Sequence, residues 1–421
     1  MANRRFSISL SFKLLYFEWP FILFGLLMSF WSSFGQTFFI SLFSAEIRNE
    51  LNLTHGTFGT LYAVATLTSA MCLFWLGKSI DRFAIQSISV FTLAATSLSA
   101  FYFSFVWSAS MLLIGLFFLR LSGQGMMYLV YSTAIAKRYA FVRGKALALS
   151  GFGLNIAEAF FPLIVVATLT STNWKYIWLI LSIFSFLSFA PFISSLTGKP
   201  SREKEFFKVP CELDKQPKPQ ISRGAVIRDY GFWIVIVWLT IIPAFTVTGI
   251  FFHQILISEL KNIELIDWAG FYLWYAVAAL TGGILSGIVV DRYTAQLSAF
   301  VTQVPMVLAC YFLIYGENTF STFLFFIFFG LASGTLQPMI NSLLAERYGV
   351  RWLGDIKSLI MPLNVVASAL SPVIMGLMID YGASLKQLIG LLLFASGYSL
   401  LSSFIFFNIF QRLKPSYAFL K

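Results

Sequence analysis

The sequence predicts an all-α integral membrane protein with 12 transmembrane helices in two pseudo-symmetric six-helix bundles and both termini in the cytoplasm. Three observations predict this class. Hydrophobic residues make up 58% of the 421 residues and charged residues only 11%, whereas a soluble domain carries about 25% charged residues. The chain also contains twelve long apolar runs, and one half of it repeats the other.

Each apolar run holds the roughly 20 residues that a helix needs to cross the hydrocarbon layer. The first run lacks a small-residue cleavage site, so we interpret it as a membrane helix and not as a signal peptide. A polar stretch with several prolines divides the chain into an N-terminal bundle (residues 1–196), a cytoplasmic linker (197–228) and a C-terminal bundle (229–421). The runs begin near Pro20, Thr57, Ile85, Ala109, Lys145, Trp174, Phe232, Trp268, Ser298, Thr319, Ile356 and Leu385.

The distribution of basic residues sets the orientation. With the N-terminus inside, 24 of the 29 Lys and Arg residues lie on the cytoplasmic side, four lie outside, and Arg120 lies within a span. This positive-inside bias predicts cytoplasmic termini. The net charge of +11 is spread over short loops, which excludes a nucleic-acid-binding face. The three cysteines have no metal-ligand spacing, and they do not predict a disulfide framework.

The internal repeat has an offset of about 210 residues. The hairpin sequence Gly77-Lys78-Ser79-Ile80-Asp81-Arg82 matches Gly287-Ile288-Val289-Val290-Asp291-Arg292. The same offset, within one residue, relates Ala136-Lys137-Arg138-Tyr139 to Ala345-Glu346-Arg347-Tyr348. Repeated halves in a chain this apolar are typical of two membrane-embedded bundles that face each other across a path.

These motifs resemble the major facilitator superfamily, in which two six-helix bundles are joined by a cytoplasmic loop. That family carries Gly-x-x-x-Asp-Arg between its second and third helices, as at Gly77 and Gly287. An Arg followed by Gln-Gly is typical of its fourth helix, and the chain reads Arg120-Leu121-Ser122-Gly123-Gln124-Gly125 there. The Gly-Pro pair of proton-driven drug exporters is missing from the fifth helix. The pattern is similar to that of monocarboxylate and oxalate–formate carriers.

The resemblance implies a gating role for two aspartates. Family members place the residues equivalent to Asp81 and Asp291 against the starts of helices 11 and 5 of the opposite half. An aspartate at a helix N-terminus is favourable by about 0.3–1 kcal/mol, and this contact would favour the outward-facing state. The alternative is a turn and topology signal, since charges end most membrane helices. The predicted gating residues are Gly77, Asp81, Arg82, Gly287, Asp291 and Arg292.

Arg120 is the most informative single residue. It lies about ten residues, or ~15 Å, into the fourth predicted helix, and the repeat places Phe329 at the matching position of the other half. A charge near mid-membrane must face the bundle interior and find a partner. Glu158 lies at a similar depth in the fifth helix, so an Arg120–Glu158 ion pair is one hypothesis. The other hypotheses are an anionic substrate group bound by Arg120 and proton uptake by Glu158.

Other polar residues in the spans are candidates for the transport path. Gln124, Tyr128 and Tyr131 share a helical face with Arg120 at i, i+4 and i+7 spacing, and the resemblance implies that helices 1, 4, 7 and 10 line the cavity. For each residue the alternative is an interhelical hydrogen bond. His253 could carry protons or lie hydrated at the outer end of its helix. The further candidates are Gln36, Asn155, His253, Gln254, Tyr272, Tyr275, Gln337, Asn341 and Asn364.

The predicted function is secondary active transport of a small polar or anionic organic solute by alternating access, with possible proton coupling. An efflux pump for amphipathic compounds is the first alternative, and a non-transporting membrane sensor is a distant one. An enzyme is not predicted, because the two histidines form no His-x-x-x-His pair and no Gly-x-Ser-x-Gly elbow occurs. No cofactor, metal or nucleic acid is expected. The expected partners are the solute, protons and membrane lipids, for a monomer in a bacterial inner membrane.

Overall fold

A computed structural model describes residues 2–77, 79–139, 142–198, 220–293, 295–349 and 351–410. These residues form helices and connecting turns, with no strand among them. Eleven of the helices are long and apolar enough to span a membrane. The chain divides into two compact units, Met1–Leu53 with Thr60–Lys215 and Thr54–Gly59 with Gln216–Lys421. The predicted linker falls largely on residues 199–219, which lie outside the described residues.

The first unit contains the helices that we number α1 to α6. Most of each helix is continuous α-helix. Its side chains are apolar around the whole circumference, and its backbone polar groups are satisfied within the helix, as a lipid environment requires. Their bounds are Ala2–Trp31 (α1), His55–Leu76 (α2, whose first turn belongs to the second unit), Ile85–Phe103 (α3), Ala109–Arg138 (α4), Arg143–Leu169 (α5) and Trp174–Thr197 (α6).

The second unit contains α7 to α12. The ninth segment departs from the prediction of one full-length span. It is divided by a turn at Thr302 and Gln303 into a short helix, Ala295–Val301, and a longer one that begins with a proline at its second position. The bounds are Phe232–Phe252 (α7), Leu265–Arg292 (α8), Val304–Tyr315 (α9), Thr319–Tyr348 (α10), Leu353–Asp380 (α11) and Leu385–Phe410 (α12).

Two helices end in irregular backbone where the sequence predicted a continuous span. After Trp31, α1 becomes a 3₁₀ turn over Ser32–Gly35, and Gln36 is extended. In the second unit, α7 ends at His253, and the short helix Gln254–Leu260 follows. In the first unit, aromatic rings support the break: the Phe34 ring centroid is 5.4 Å from that of Phe39 and 5.9 Å from that of Trp178.

Small polar side chains join α1 to α5. Ser29 Oγ donates to the carbonyl oxygen of Ser150 at 2.7 Å and accepts from the Leu154 backbone N–H at 3.1 Å. In an apolar bilayer, interhelical hydrogen bonds and close packing of small residues hold helices together. This contact holds the end of α1, just before its break, against α5.

Candidate functional site

Arg120 lies inside the first unit, where α4 changes from α-helix to π-helix. The π segment runs over Arg120–Met127, and π segments inside α-helices occur frequently at functional sites. The Arg120 side chain is buried, with 3% of its surface exposed. The sequence correctly predicted that this cation faces the protein interior.

Two glycines bring the π segment against the break in α1. A Cβ atom on Gly35 would lie 2.3 Å from the Gln124 nitrogen and 2.3 Å from the Leu119 carbonyl oxygen. A Cβ on Gly123 would lie 2.7 Å from the Gly35 nitrogen. The two backbones therefore touch at a distance that no other residue type permits. This approach brings the Gly35 carbonyl oxygen within reach of Arg120.

The guanidinium of Arg120 contacts a carbonyl group and an aromatic ring. Nη1 donates to the Gly35 carbonyl oxygen at 2.9 Å, and Cζ lies 4.9 Å from the centroid of the Tyr62 ring. The Tyr62 hydroxyl is in turn 2.6 Å from Thr37 Oγ1. Nε is buried and has no hydrogen-bond partner among the described residues. Neither contact neutralises the positive charge.

The hypothesis of an Arg120–Glu158 ion pair is wrong for this structure. Glu158 is buried in α5, and the Asn155 amide donates to its Oε2 at 3.4 Å. No ion pair joins the two residues in the described part of the chain. Similar depth on adjacent helices did not decide the pairing, because the break in α1 offers Arg120 a closer backbone oxygen.

The helix 4 face predicted from α-helical spacing is not continuous. A π-helix has more residues per turn than an α-helix, so the four residues no longer share one face. Arg120 and Tyr131 are buried and Gln124 is half-buried, whereas 53% of Tyr128 is exposed. The Tyr128 and Tyr131 rings still make an edge contact, with centroids 5.5 Å apart.

The other candidates in the first unit lie near the break. Gln36 occupies the extended position after the 3₁₀ turn and is half-buried, as is Asn155 beside Glu158. The irregular backbone at Gln36 and the carboxyl of Glu158 both belong to the first unit. The structure thus places polar groups of α1, α4 and α5 in a single helical bundle.

The second unit holds the remaining candidates. His253 is buried, so it is not hydrated as one alternative predicted; its Nε2 lies 3.3 Å from the Pro372 carbonyl oxygen, and its ring centroid is 5.9 Å from that of His55. Tyr272 donates to Gln254 Oε1 at 2.5 Å, an interhelical bond that matches the structural alternative. Tyr275 is buried, Gln337 is exposed, Asn341 is half-buried, and Asn364 Oδ1 has no partner among the described residues.

The side chains of two predicted gating residues, Asp81 and Asp291, lie outside the described ones. Their backbones are helical, in the short helix Ser79–Arg82 and at the end of α8. Gly77 and Gly287 are half-buried, and Arg82 and Arg292 are exposed. The gating role therefore stays a prediction.

A repeated ion-pair cluster is the feature that sequence reasoning missed. In the first unit, the Glu18 carboxylate accepts from Arg138 Nε at 3.1 Å, Arg138 Nη2 at 2.9 Å and the Tyr139 hydroxyl at 2.8 Å. Burial, with added contributions from Glu18, raises the pKa of Tyr139 above its usual range, so the phenol stays a donor. We call Glu18, Arg138 and Tyr139 the first clamp.

The second unit repeats this arrangement with Asp229 in place of Glu18. The Asp229 carboxylate accepts from Arg347 Nε at 3.1 Å, Arg347 Nη2 at 2.7 Å and the Tyr348 hydroxyl at 2.7 Å. We call these three residues the second clamp. The Arg-Tyr pairs were visible in the repeat, and the acidic residues lie 211 positions apart, so the same offset could have found them.

Taken together, the described residues provide a buried cation with an unused donor and a separate buried carboxyl group. No cluster of His, Cys, Asp and Glu that could hold a metal ion occurs in the described residues. A buried cation can recognise an anionic group, and a buried carboxyl can hold or release a proton. Neither chemistry involves breaking a covalent bond of a solute.

Comparison with known proteins agrees with this arrangement. A family model described as the Major Facilitator Superfamily matches residues 25–372. The chain belongs to the Major Facilitator Superfamily. It is therefore an integral membrane transporter of the secondary, alternating-access type, and not an enzyme.

Solved structures show the same fold at low sequence identity. A bacterial homologue of the human lysosomal transporter Spinster, in an inward-facing and unoccupied conformation, is 14% identical, with a TM-score of 0.66 over 94% of this chain and 98% of that chain. The nucleoside transporter NupG is 11% identical, with a TM-score of 0.65 over 93% of this chain and 98% of that chain. A search of curated protein sequences finds no matching relative.

Proposed function

We propose that this Major Facilitator Superfamily chain carries a small organic anion across a bacterial inner membrane as a monomer, with Arg120 as the anion contact and Glu158 as the proton carrier. The observation that supports the first role is the environment of Arg120. Among the described residues, its buried guanidinium contacts a neutral carbonyl and a neutral ring, and its Nε donates to no acceptor. A carboxylate of the solute would supply the missing negative charge.

The proton role of Glu158 rests on its separation from Arg120. An ionised carboxylate buried without a cation is costly, and the donor to Glu158 among the described residues is the Asn155 amide. The carboxyl can therefore gain and lose a proton without breaking an ion pair. Proton uptake at Glu158 and anion binding at Arg120 would together make transport of the anion electrically less costly.

The solute class is tested by counterflow in proteoliposomes. We expect exchange with small mono- and dicarboxylates and little exchange with sugars, neutral amino acids or nucleosides. Arg120→Gln should abolish this exchange. Arg351→Gln is the matched control, because Arg351 is an exposed cation in the second unit and its loss changes the net charge equally. A response confined to amphipathic dyes would instead support the efflux alternative and reject the anion proposal.

Proton coupling is tested with Glu158→Gln, which keeps the shape of the side chain. We expect this variant to retain carboxylate counterflow and to lose the accumulation that an imposed pH gradient drives in the wild type. Glu259→Gln is the matched control, because it makes the same change at an exposed carboxyl of the second unit. If Glu158→Gln accumulates solute as the wild type does across the pH range, Glu158 is not the proton carrier.

A further inference from the structure

We infer that the first unit binds an anionic phospholipid from the cytoplasmic leaflet, with one acyl chain lying in an apolar groove between α3 and α4. The groove has a volume of about 750 Å³ and lies entirely within the first unit. It is separate from Arg120 and Glu158, and the inference does not depend on the proposed solute.

One wall of the groove is a single face of α3. Its residues recur at spacings of one, three or four along the helix. From Ser87 to Tyr102 this face is about 22 Å long at 1.5 Å per residue, which exceeds the hydrocarbon depth of one leaflet, about half of ~30 Å. The α3 residues that line it are Ser87, Ile88, Phe91, Thr92, Ala95, Leu98, Ser99 and Tyr102.

The opposite wall comes from α4, and the π segment contributes to it. Phe118 lies just before the segment, and Leu121, Ser122 and Met126 lie within it. The α3 and α4 hydroxyls of Ser99 and Ser122 approach to 3.4 Å. Because Leu121 follows Arg120 directly, an occupant of the groove would touch the same backbone that positions the cation.

The hydroxyl groups in the walls do not make the groove polar. Thr92 donates to the Ile88 carbonyl at 2.7 Å and Ser99 to the Ala95 carbonyl at 2.6 Å. Ser122 donates to the Phe118 carbonyl at 2.7 Å. Each of these three hydroxyls is thus satisfied by its own helix. Because the other α3 and α4 side chains along the middle of the groove are apolar, the surface left to a ligand there is mostly hydrocarbon, which suits an acyl chain better than a polar solute.

The open side of the groove faces the medium around the protein. Phe91 and Leu98 are 67% and 66% exposed, and α3 is a membrane-spanning helix, so the medium at this depth is lipid. Ser79 and Phe83 line one end of the groove, and Arg82, which directly precedes Phe83 in the sequence, has an exposed side chain. A cation at the cytoplasmic end of an acyl-chain groove is complementary to an anionic headgroup.

Lipid retention by the purified protein tests this site. Vesicles that contain phosphatidylglycerol with a photoactivatable group in the acyl chain are extracted in mild detergent, irradiated and analysed by peptide mass spectrometry. We expect adducts on Phe91–Tyr102 and on Phe118–Met126. Excess unlabelled phosphatidylglycerol should compete with the label, and phosphatidylcholine should compete less.

A groove-filling variant provides the decisive comparison. Ala95→Trp should lower the labelling about tenfold, because losing contact with a couple of methylene groups weakens binding by about that factor. Ala167→Trp is the matched control, since Ala167 is exposed on α5 and does not line the groove. Ser87→Trp gives a second filling variant at an exposed position if Ala95→Trp does not fold.

Three outcomes would overturn the inference. The first is undiminished labelling in whichever filling variant folds. The second is an equal loss in Ala167→Trp. The third is competition by free fatty acid or detergent but not by phosphatidylglycerol. Arg82→Gln should remove the preference for phosphatidylglycerol over phosphatidylcholine and leave labelling by phosphatidylcholine unchanged; a preserved preference would contradict the headgroup contact.

Discussion

Helices α4 and α10 occupy matching places in the repeat, yet their residue type and helix geometry differ at the position of Arg120. In α4, Arg120 begins a π segment and contacts the backbone of Gly35. In α10, the matching Phe329 lies in one unbroken helix. Its ring centroid is 5.3 Å from that of Phe251 and 5.2 Å from that of Phe325. A cation in one unit thus corresponds to an aromatic core residue in the other.

The two clamps, in contrast, are alike in the two units. Glu18, Arg138 and Tyr139 are repeated by Asp229, Arg347 and Tyr348 with the same donors and nearly the same distances. Glu18 lies within α1 and Asp229 lies three residues before α7, and each is joined to the end of the helix three spans later. Interactions that maintain the bundle are preserved in both copies, whereas the cation is present in one. This contrast favours a functional role for Arg120.

The largest effect is expected from making α4 resemble α10. Arg120→Phe should reduce solute exchange by about 100-fold or more, as loss of a buried charged contact does. The protein should stay folded, because replacing a buried charge with an apolar side chain is often neutral for stability. Proteoliposome counterflow and thermal unfolding in detergent measure the two properties. Exchange within twofold of the wild type would show that Arg120 is only structural.

The reverse substitution should affect stability. Phe329→Arg would place an uncompensated charge among aromatic rings, and we expect a loss of about 3–5 kcal/mol, seen as a lower thermal unfolding midpoint. Phe329→Leu is the control, with an expected loss below about 1.5 kcal/mol. If the arginine variant unfolds at the same temperature as the leucine variant, the second unit tolerates a cation at this depth. The contrast between α4 and α10 would then no longer support a functional role for Arg120.

The clamps should differ modestly in strength. Glu18→Gln removes the carboxylate charge that pairs with Arg138, and only 1% of the Glu18 side chain is exposed, so we expect a loss of about 3 kcal/mol. Asp229→Asn should cost less, because 15% of that side chain is exposed and water screens the charge.

Thermal unfolding of the two single variants and the double variant measures both clamps. The tyrosine variants Tyr139→Phe and Tyr348→Phe remove one donor each and should cost about 1 kcal/mol. Equal losses for the two carboxylate variants would mean that burial does not set the difference.

The smallest effect on stability is expected at Glu50, an acidic residue of the first unit whose matching position in the second unit is not acidic. Burial would raise its pKa, but hydrogen bonds from Lys175 and the Trp174 indole, with the Lys175 charge, outweigh burial and lower the pKa. The stability from this pair is therefore present above the ordinary glutamate pKa and is lost as the pH falls through the lowered value. The carboxylate is 37% exposed, so its contribution is below about 1 kcal/mol.

Glu50→Gln should flatten the dependence of the unfolding midpoint on pH in the acidic range. It should leave the midpoint at neutral pH nearly unchanged, since exposed pairs contribute little. Lys261 lies 211 positions after Glu50, so it occupies the matching position of the second unit. Lys261→Gln is therefore the variant with which Glu50→Gln is compared. A pH dependence equal to that of the wild type would contradict the assignment to Glu50.

Several features were predictable because they depend on composition and local pattern. Hydropathy identified the spans, the offset identified the repeat, and the cost of a charge in hydrocarbon required Arg120 to face inward. The breaks at Gln36, at His253 and before α9 were not predicted. Hydropathy averaged over a span of about 20 residues does not report an interruption of a few residues, and the backbone groups freed there are satisfied by neighbouring helices.

The sequence by itself determined the membrane class, the two related halves and the one-sided placement of Arg120, because these follow from side-chain transfer energies and spacing. Only the tertiary structure decided that Arg120 contacts Gly35 and not Glu158, and that Glu18 and Asp229 close the clamps. The physical reason is that a buried charge binds the polar atom which packing brings closest. Contact between the backbones at Gly35 and Gly123 sets that distance, and linear spacing does not encode it.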